Sequence, residues 1–134
     1  MLKYLLDTNI CIYTIKNRPQ SVRAAFNRHA NQLAISTVTL TELLYGAEKS
    51  ARAESNLASI EGFAARLTVL DFDASAAAHT GEIKAELARA GTPIGPYDVM
   101  IAGHARSCGL TVVTNNCGEF DRVAGIRVVD WVNR

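Results

Sequence analysis

The chain has 134 residues, 49% of them hydrophobic and 20% charged, with a formal net charge of +1. That balance fits one globular domain spanning residues 1–134. It excludes a membrane helix, because no apolar run approaches ~20 residues, and the N-terminus lacks the layout of a secretory signal.

The elements follow one another in a regular alternation. Residues 3–7 read as a first strand, "KYLLD", that stops on an acid. Residues 9–16 and about 20–31 read as helices broken at Arg18-Pro19. "LAIS" (33–36) is a second strand, and residues 37–50 carry Leu40, Leu43, Leu44 and Ala47 at helical spacing. Residues 53–66 form another helix, "LTVLDF" (67–72) a third strand, and residues 74–90 a long alanine-rich helix ending before Gly91. Pro96 suits the first turn of the next helix, 97–108. "LTVVT" (110–114) is a fourth strand, 115–125 a loop with room for one helical turn, and "IRVVDW" (126–131) a fifth strand. Strands rich in Val, Ile and Leu alternating with helices predict an α/β fold. Its five-stranded sheet is mostly parallel and covered by helices on both faces.

Cys11, Cys108 and Cys117 are odd in number and lack C-x-x-C pairing. This argues against a disulfide frame or zinc site and for a reducing cytoplasm. Charge is unevenly spread. Residues 1–31 hold Lys3, Lys16, Arg18, Arg23 and Arg28 against Asp7 alone, while the remainder has nine basic and twelve acidic residues. The basic segment could meet phosphates or simply be solvated.

Ligands of open parallel sheets bind beyond the carboxyl ends of the strands. Asp7 stands at such an end, as does the loop with Thr114, Asn115, Asn116 and Glu119. Glu42 lies in the second turn after strand two, and Asp98 in the first turn after Pro96. Each acid also has a plainer explanation. Asp7 could cap a helix, Thr39 to Glu42 matches a capping box, Asp98 could complement a helix dipole, and Glu119 could be a loop acid. Two features weigh against these. Gly46, one turn from Glu42, suggests close packing there, and Asp98 shares its stripe with Ile101, Ala102 and Ala105. Converging acids without a counter-charge would call for a divalent cation, and oxygen-only ligands favour Mg²⁺ or Mn²⁺. Thr8, Asn9, Thr114, Asn115 and Asn116 could orient carboxylates or waters.

"LLDTN", "TLTELLYGAEKS", "GPYDVMIAGHA" and "TNNCGEF" occur in this order across nearly the whole chain. Together they resemble PIN-domain ribonucleases, specifically VapC-type toxins of bacterial VapBC toxin–antitoxin pairs. The resemblance implies a parallel-sheet sandwich and a cluster of acids that binds Mg²⁺ or Mn²⁺. Residue by residue, the family acids fall on Asp7, Glu42, Asp98 and, as the fourth, Glu119; many members carry Asp where this chain has Asn116. Asp7 and Asp98 are the implied metal ligands and Glu42 the acid that orients water. The resemblance also implies cleavage of structured RNA, with initiator tRNA as the specific target and translation as the process stopped. It implies a VapB-type antitoxin that inserts a basic side chain into the pocket. Operator DNA would be bound only through the antitoxin. A homodimer is expected too, with Ile60, Phe63 and Ala64 as a candidate face. Arg89, Arg106 and the basic residues of 1–31 are candidates to grip phosphates.

Two other classes remain open at this point. A non-catalytic PIN-like binding module would need no chemistry. A receiver-like phosphoacceptor domain would use Asp71 and Asp73 but wants paired acids after strand one and a Lys after strand five. This chain has Asp7 alone and Trp131-Val132-Asn133 there.

Overall fold

Strand alternation partitions the core. The structure, a computed structural model, describes residues 1–133. In β1 (Tyr4–Leu6), Tyr4 and Leu6 point to one face and Leu5 to the other. In β2 (Leu33–Ser36), Leu33 and Ile35 join the first face and Ala34 the second. β3 (Thr68–Leu70), β4 (Thr111–Val113) and β5 (Arg127–Val129) complete a sheet in the order β3-β2-β1-β4-β5, with all four pairings parallel. The central strands are buried on both faces. The edge strands β3 and β5 are half-exposed and shorter than the sequence suggests.

Helices α1 (Thr8–Lys16), α2 (Gln20–Arg28), α3 (Thr37–Glu48) and α4 (Ala53–Ala64) cover the first face, through Ile10, Phe26, Leu43 and Phe63. Helices α5 (Ala74–Ala90), α6 (Pro96–Cys108) and α7 (Cys117–Phe120) cover the second, through Ile83, Ile101 and Phe120. The expected α/β layering is therefore present, and α7 is the helical turn allowed for in the 115–125 loop. α2 stops before residue 31, because Asn31 takes a left-handed backbone (φ 76°) that turns the chain into β2.

The face assigned to a dimer is not free. Ile60 and Phe63 belong to the chain's own core, with Phe63 stacked on Phe26 at 5.5 Å between ring centroids. Sheet order also removes the receiver-like reading. That fold runs 2-1-3-4-5, whereas here the third strand lies at an edge beyond β2. The order in which strands are added reverses between β1 and β4, so the crevice opens at the carboxyl ends of these two strands.

The close helix approach is not at Gly46, where an added Cβ would meet nothing within 4 Å. It is at Gly103 in α6, where an added Cβ would clash with Thr80 Oγ1 and lie 2.7 Å from both Cα and N of Thr80 in α5. Alanine gains about 1 kcal/mol of helix propensity over glycine. A clash against backbone cannot rotate away, and overpacking costs about 1–3 kcal/mol or more. Urea unfolding should therefore show Gly103→Ala destabilised and Gly46→Ala stabilised by up to about 1 kcal/mol. Equal midpoints for the two variants would contradict the α5–α6 contact.

Candidate active site

Four acids reach the crevice from four elements. Asp7 follows β1 in extended conformation and caps α1, its Oδ1 accepting the Ile10 N–H at 2.9 Å. Thr8 opens α1, and its hydroxyl donates to Glu42 Oε1 at 2.5 Å. Glu42 takes no part in a capping box: α3 is capped by Ser36, whose hydroxyl accepts from Val38 N–H. Asp98 lies in the first turn of α6, after Pro96, where the N-cap Gly95 offers no side chain. Glu119, from α7, supplies what Gly95 lacks, accepting its N–H on Oε1 at 2.7 Å.

The loop after β4 ties these groups together. Asn116 Nδ2 donates to Glu119 Oε2 at 2.6 Å and to Asp98 Oδ2 at 3.4 Å. The buried Thr114 hydroxyl accepts the Asn116 N–H at 2.8 Å and hydrogen-bonds Asp7. Asn115 turns the other way and donates to the Tyr13 hydroxyl at 3.2 Å. Asn9 is exposed, and its side chain has no hydrogen-bond partner among the described residues. Both oxygens of Glu119 are thus engaged by neighbours, and Asn116 sits between the third and fourth acids.

Asp7 is only 3% exposed. Burial pushes its carboxyl up from 3.8 to about 6, against the opposing pull of the Thr114 and Ile10 hydrogen bonds; the charges of Asp98 and Glu42 raise it further. Asp98 is raised by burial first, then by Glu119 and Glu42. Glu119 is held below its usual range by the Gly95 N–H and Asn116. None of the four acids is in an ion pair among the described residues, where the one such pair is Arg106–Glu82 at 2.6 Å.

That pair corrects one expectation. The Arg106 guanidinium also donates to His79 Nδ1 and the Ala124 carbonyl, so it staples α5, α6 and the segment before β5 instead of waiting for a phosphate. Nor do Lys3 and Lys16 line the pocket. Lys3 precedes β1, at the opposite end of the strand from Asp7, and Lys16 ends α1, about 13 Å along the helix from its capped start.

One supporting residue had no signal in the sequence. His104 of α6 is buried, and its Nδ1 lies 2.8 Å from the Ser36 hydroxyl. It connects the helix carrying Asp98 to the cap of the helix carrying Glu42. A lone histidine 68 positions from its serine partner has no spacing to betray it.

The PIN domain family matches residues 4–126. The chain belongs to the PIN-domain family, in its VapC branch. It is 65% identical over 131 residues to the "tRNA(fMet)-specific endonuclease VapC" of Shigella flexneri, covering 98% of this chain and 99% of that protein. It is 53% identical over 132 residues to "Ribonuclease VapC2" of Haemophilus influenzae, covering 98% of this chain and all of that one. Among solved structures it is similar to DNA-bound VapBC from Salmonella typhimurium, with a TM-score of 0.94 at 62% identity over 98% of this chain and 99% of that one.

The donor set of this PIN domain fits a hard divalent ion. Asp7 and Asp98 offer oxygen alone, and neither is paired with a cation among the described residues. No group of three or more His, Cys, Asp and Glu side chains is arranged as a ready-made cage among the described residues. Mg²⁺ does not need one, since it keeps several waters and uses one or two carboxylates.

The raised Asp7 pKa has a thermodynamic sign. The folded state binds this proton more tightly than the unfolded chain, so the stabilisation is full below 3.8 and is lost as pH rises through about 6. At 1.36 kcal/mol per pKa unit the loss is roughly 3 kcal/mol by pH 7. Asparagine keeps the cap and removes the charge. In EDTA, urea unfolding from pH 4 to 7 should therefore show wild type weakening with pH. Asp7→Asn should follow a flatter curve and be more stable at pH 7 by about 1–3 kcal/mol. Parallel curves would show that Asp7 is not the titrating group.

Proposed function

We propose that this chain is the toxin of a type II toxin–antitoxin pair, a Mg²⁺-dependent endoribonuclease (Mn²⁺ also serving) of the cytoplasm. Its substrate is the anticodon stem-loop of initiator tRNA, and the cut stops translation. The observation that carries the reading is Asp7, buried at the switch point of the sheet and acted on by the charges of Asp98 and Glu42, with no cation paired to it among the described residues. The name of the Shigella relative supports the substrate. The VapBC complexes among similar structures support a VapB-type antitoxin as partner, with operator DNA reached through it. The active form is a homodimer that does not use the α4 core face. No helix among the described residues is long and apolar enough to cross a membrane.

In this reading Asp7 and Asp98 hold the ion. When bound, the ion supplies Lewis acidity toward the phosphate and its attacking water. Glu42, oriented by the Thr8 hydroxyl, aligns that water and accepts its proton. Asn116 holds Asp98 and Glu119 in register, and Glu119 fixes the start of α6 through Gly95. A looped single strand suits the site because its unstacked backbone is open to in-line attack.

The test is incubation of purified, antitoxin-free protein with total bacterial RNA, with Mg²⁺ or with EDTA, and mapping of new 5′ ends. The expected result is one metal-dependent cut in the anticodon loop of initiator tRNA. Asp7→Asn and Asp98→Asn should abolish it, and Glu42→Gln should slow it about 100-fold or more. Expression of the chain alone should arrest growth, and co-expression of its antitoxin should restore it. Folded protein that cuts no RNA in either condition would return the binding-module reading.

A further inference from the structure

The large hydrophobic side chains exposed among the described residues are Met1, Leu44, Tyr45 and Tyr97. Tyr97 immediately precedes Asp98 in the first turn of α6 and is 49% exposed. We propose that its ring is a stacking platform for one unpaired base beside the cleaved phosphodiester, and so selects which nucleotide of the loop is presented to the acids. This rests on the ribonuclease reading above and adds a specificity residue to it.

Three observations carry it. Tyr97 and Asp98 are consecutive, with Cα atoms about 3.8 Å apart, so both side chains leave the same first turn of α6. The backbone beneath it is rigid. Arg122 donates to the Pro93 carbonyl at 3.0 Å, Glu119 accepts the Gly95 N–H at 2.7 Å, and Pro93 and Pro96 fix their own torsions. With the backbone held, only the two side-chain torsions of the ring are left to be ordered on contact. Finally, the ring is unclaimed: no other ring and no cation lies over it among the described residues. Tyr45 differs, because the Lys49 ammonium already covers its ring at 4.9 Å. Every base has a π-face, so stacking suits a loop whose bases are unpaired. The exposed Arg122 brings positive charge to the same loop, opposite in sign to a phosphate.

The experiment uses the full chain with Mg²⁺ and an initiator-tRNA anticodon stem-loop carrying 2-aminopurine at one loop position at a time. Wild type, Tyr97→Ala, Tyr97→Phe and Asp7→Asn are compared for KM, kcat and fluorescence quenching on binding. Tyr97→Ala should raise KM about 5- to 100-fold, the scale of one lost base–aromatic stack, with kcat within about threefold of wild type. Tyr97→Phe should restore KM. One loop position should be quenched by wild type and by Tyr97→Phe but not by Tyr97→Ala. Wild-type KM in Tyr97→Ala, or failure of phenylalanine to rescue, overturns the proposal. So does a loss in Tyr97→Ala confined to antitoxin binding, which would make the ring a protein contact. If wild type itself cuts no RNA, the ribonuclease reading fails and the platform with it, an outcome distinct from normal cleavage by Tyr97→Ala.

Discussion

Negative charge crowded at the carboxyl ends of β1 and β4 is the constraint around which the rest of this molecule is arranged. Asp7 is buried there, with Asp98 and Glu42 raising its pKa further. A carboxylate removed from water and faced by its own kind is unfavourable unless something compensates. Within the chain the compensation is partial and comes from dipoles: the Ile10 N–H, the Thr114 hydroxyl, the Asn116 amide. No cation of the chain pairs with these acids among the described residues. The fold thus holds an electrostatic deficit at the crevice between β1 and β4.

The supports are arranged accordingly. Each acid has a neighbour from another element: Thr8 for Glu42, Asn116 for Asp98, Gly95 for Glu119. The helices beneath cannot drift, since Gly103 lets α6 lie against the backbone of α5 and Arg106 bolts the same pair to the segment before β5. Geometry of this kind lets weak dipoles act together, because none spends free energy on reorientation.

Much of this could be read from residue order, because each feature had a local cause. Strand residues alternate with helical stripes, Pro96 opens α6, and Gly91 and Gly109 end α5 and α6 in left-handed conformation. Asp7, Glu42 and Asp98 were visible as acids just past strand ends or in early helical turns. What escaped depends on distant contacts. The capping box at Thr39–Glu42 is satisfied as a pattern but not in space, because Ser36 starts the helix earlier. Gly46 and Gly103 look alike in a helical sequence; only the packed partner tells them apart. Arg106 looked free until Glu82 and His79 of another helix were placed beside it. Ile60 and Phe63 made an apolar stripe that could serve a partner or a core, and Phe26 decides for the core.

The contact between Ser36 and His104 has a consequence of its own. The serine oxygen already accepts the Val38 N–H, and His104 Nδ1 is the one other group that meets it among the described residues. A hydroxyl proton directed at Nδ1 would make that nitrogen a lone-pair acceptor and leave the imidazole neutral. Burial favours the same form, lowering the His104 pKa despite the nearby Asp71 and Asp73. The two helices that bring Glu42 and Asp98 to opposite walls are thus registered by an uncharged joint. A charged imidazole at that point would instead have tied the register of the two helices to pH.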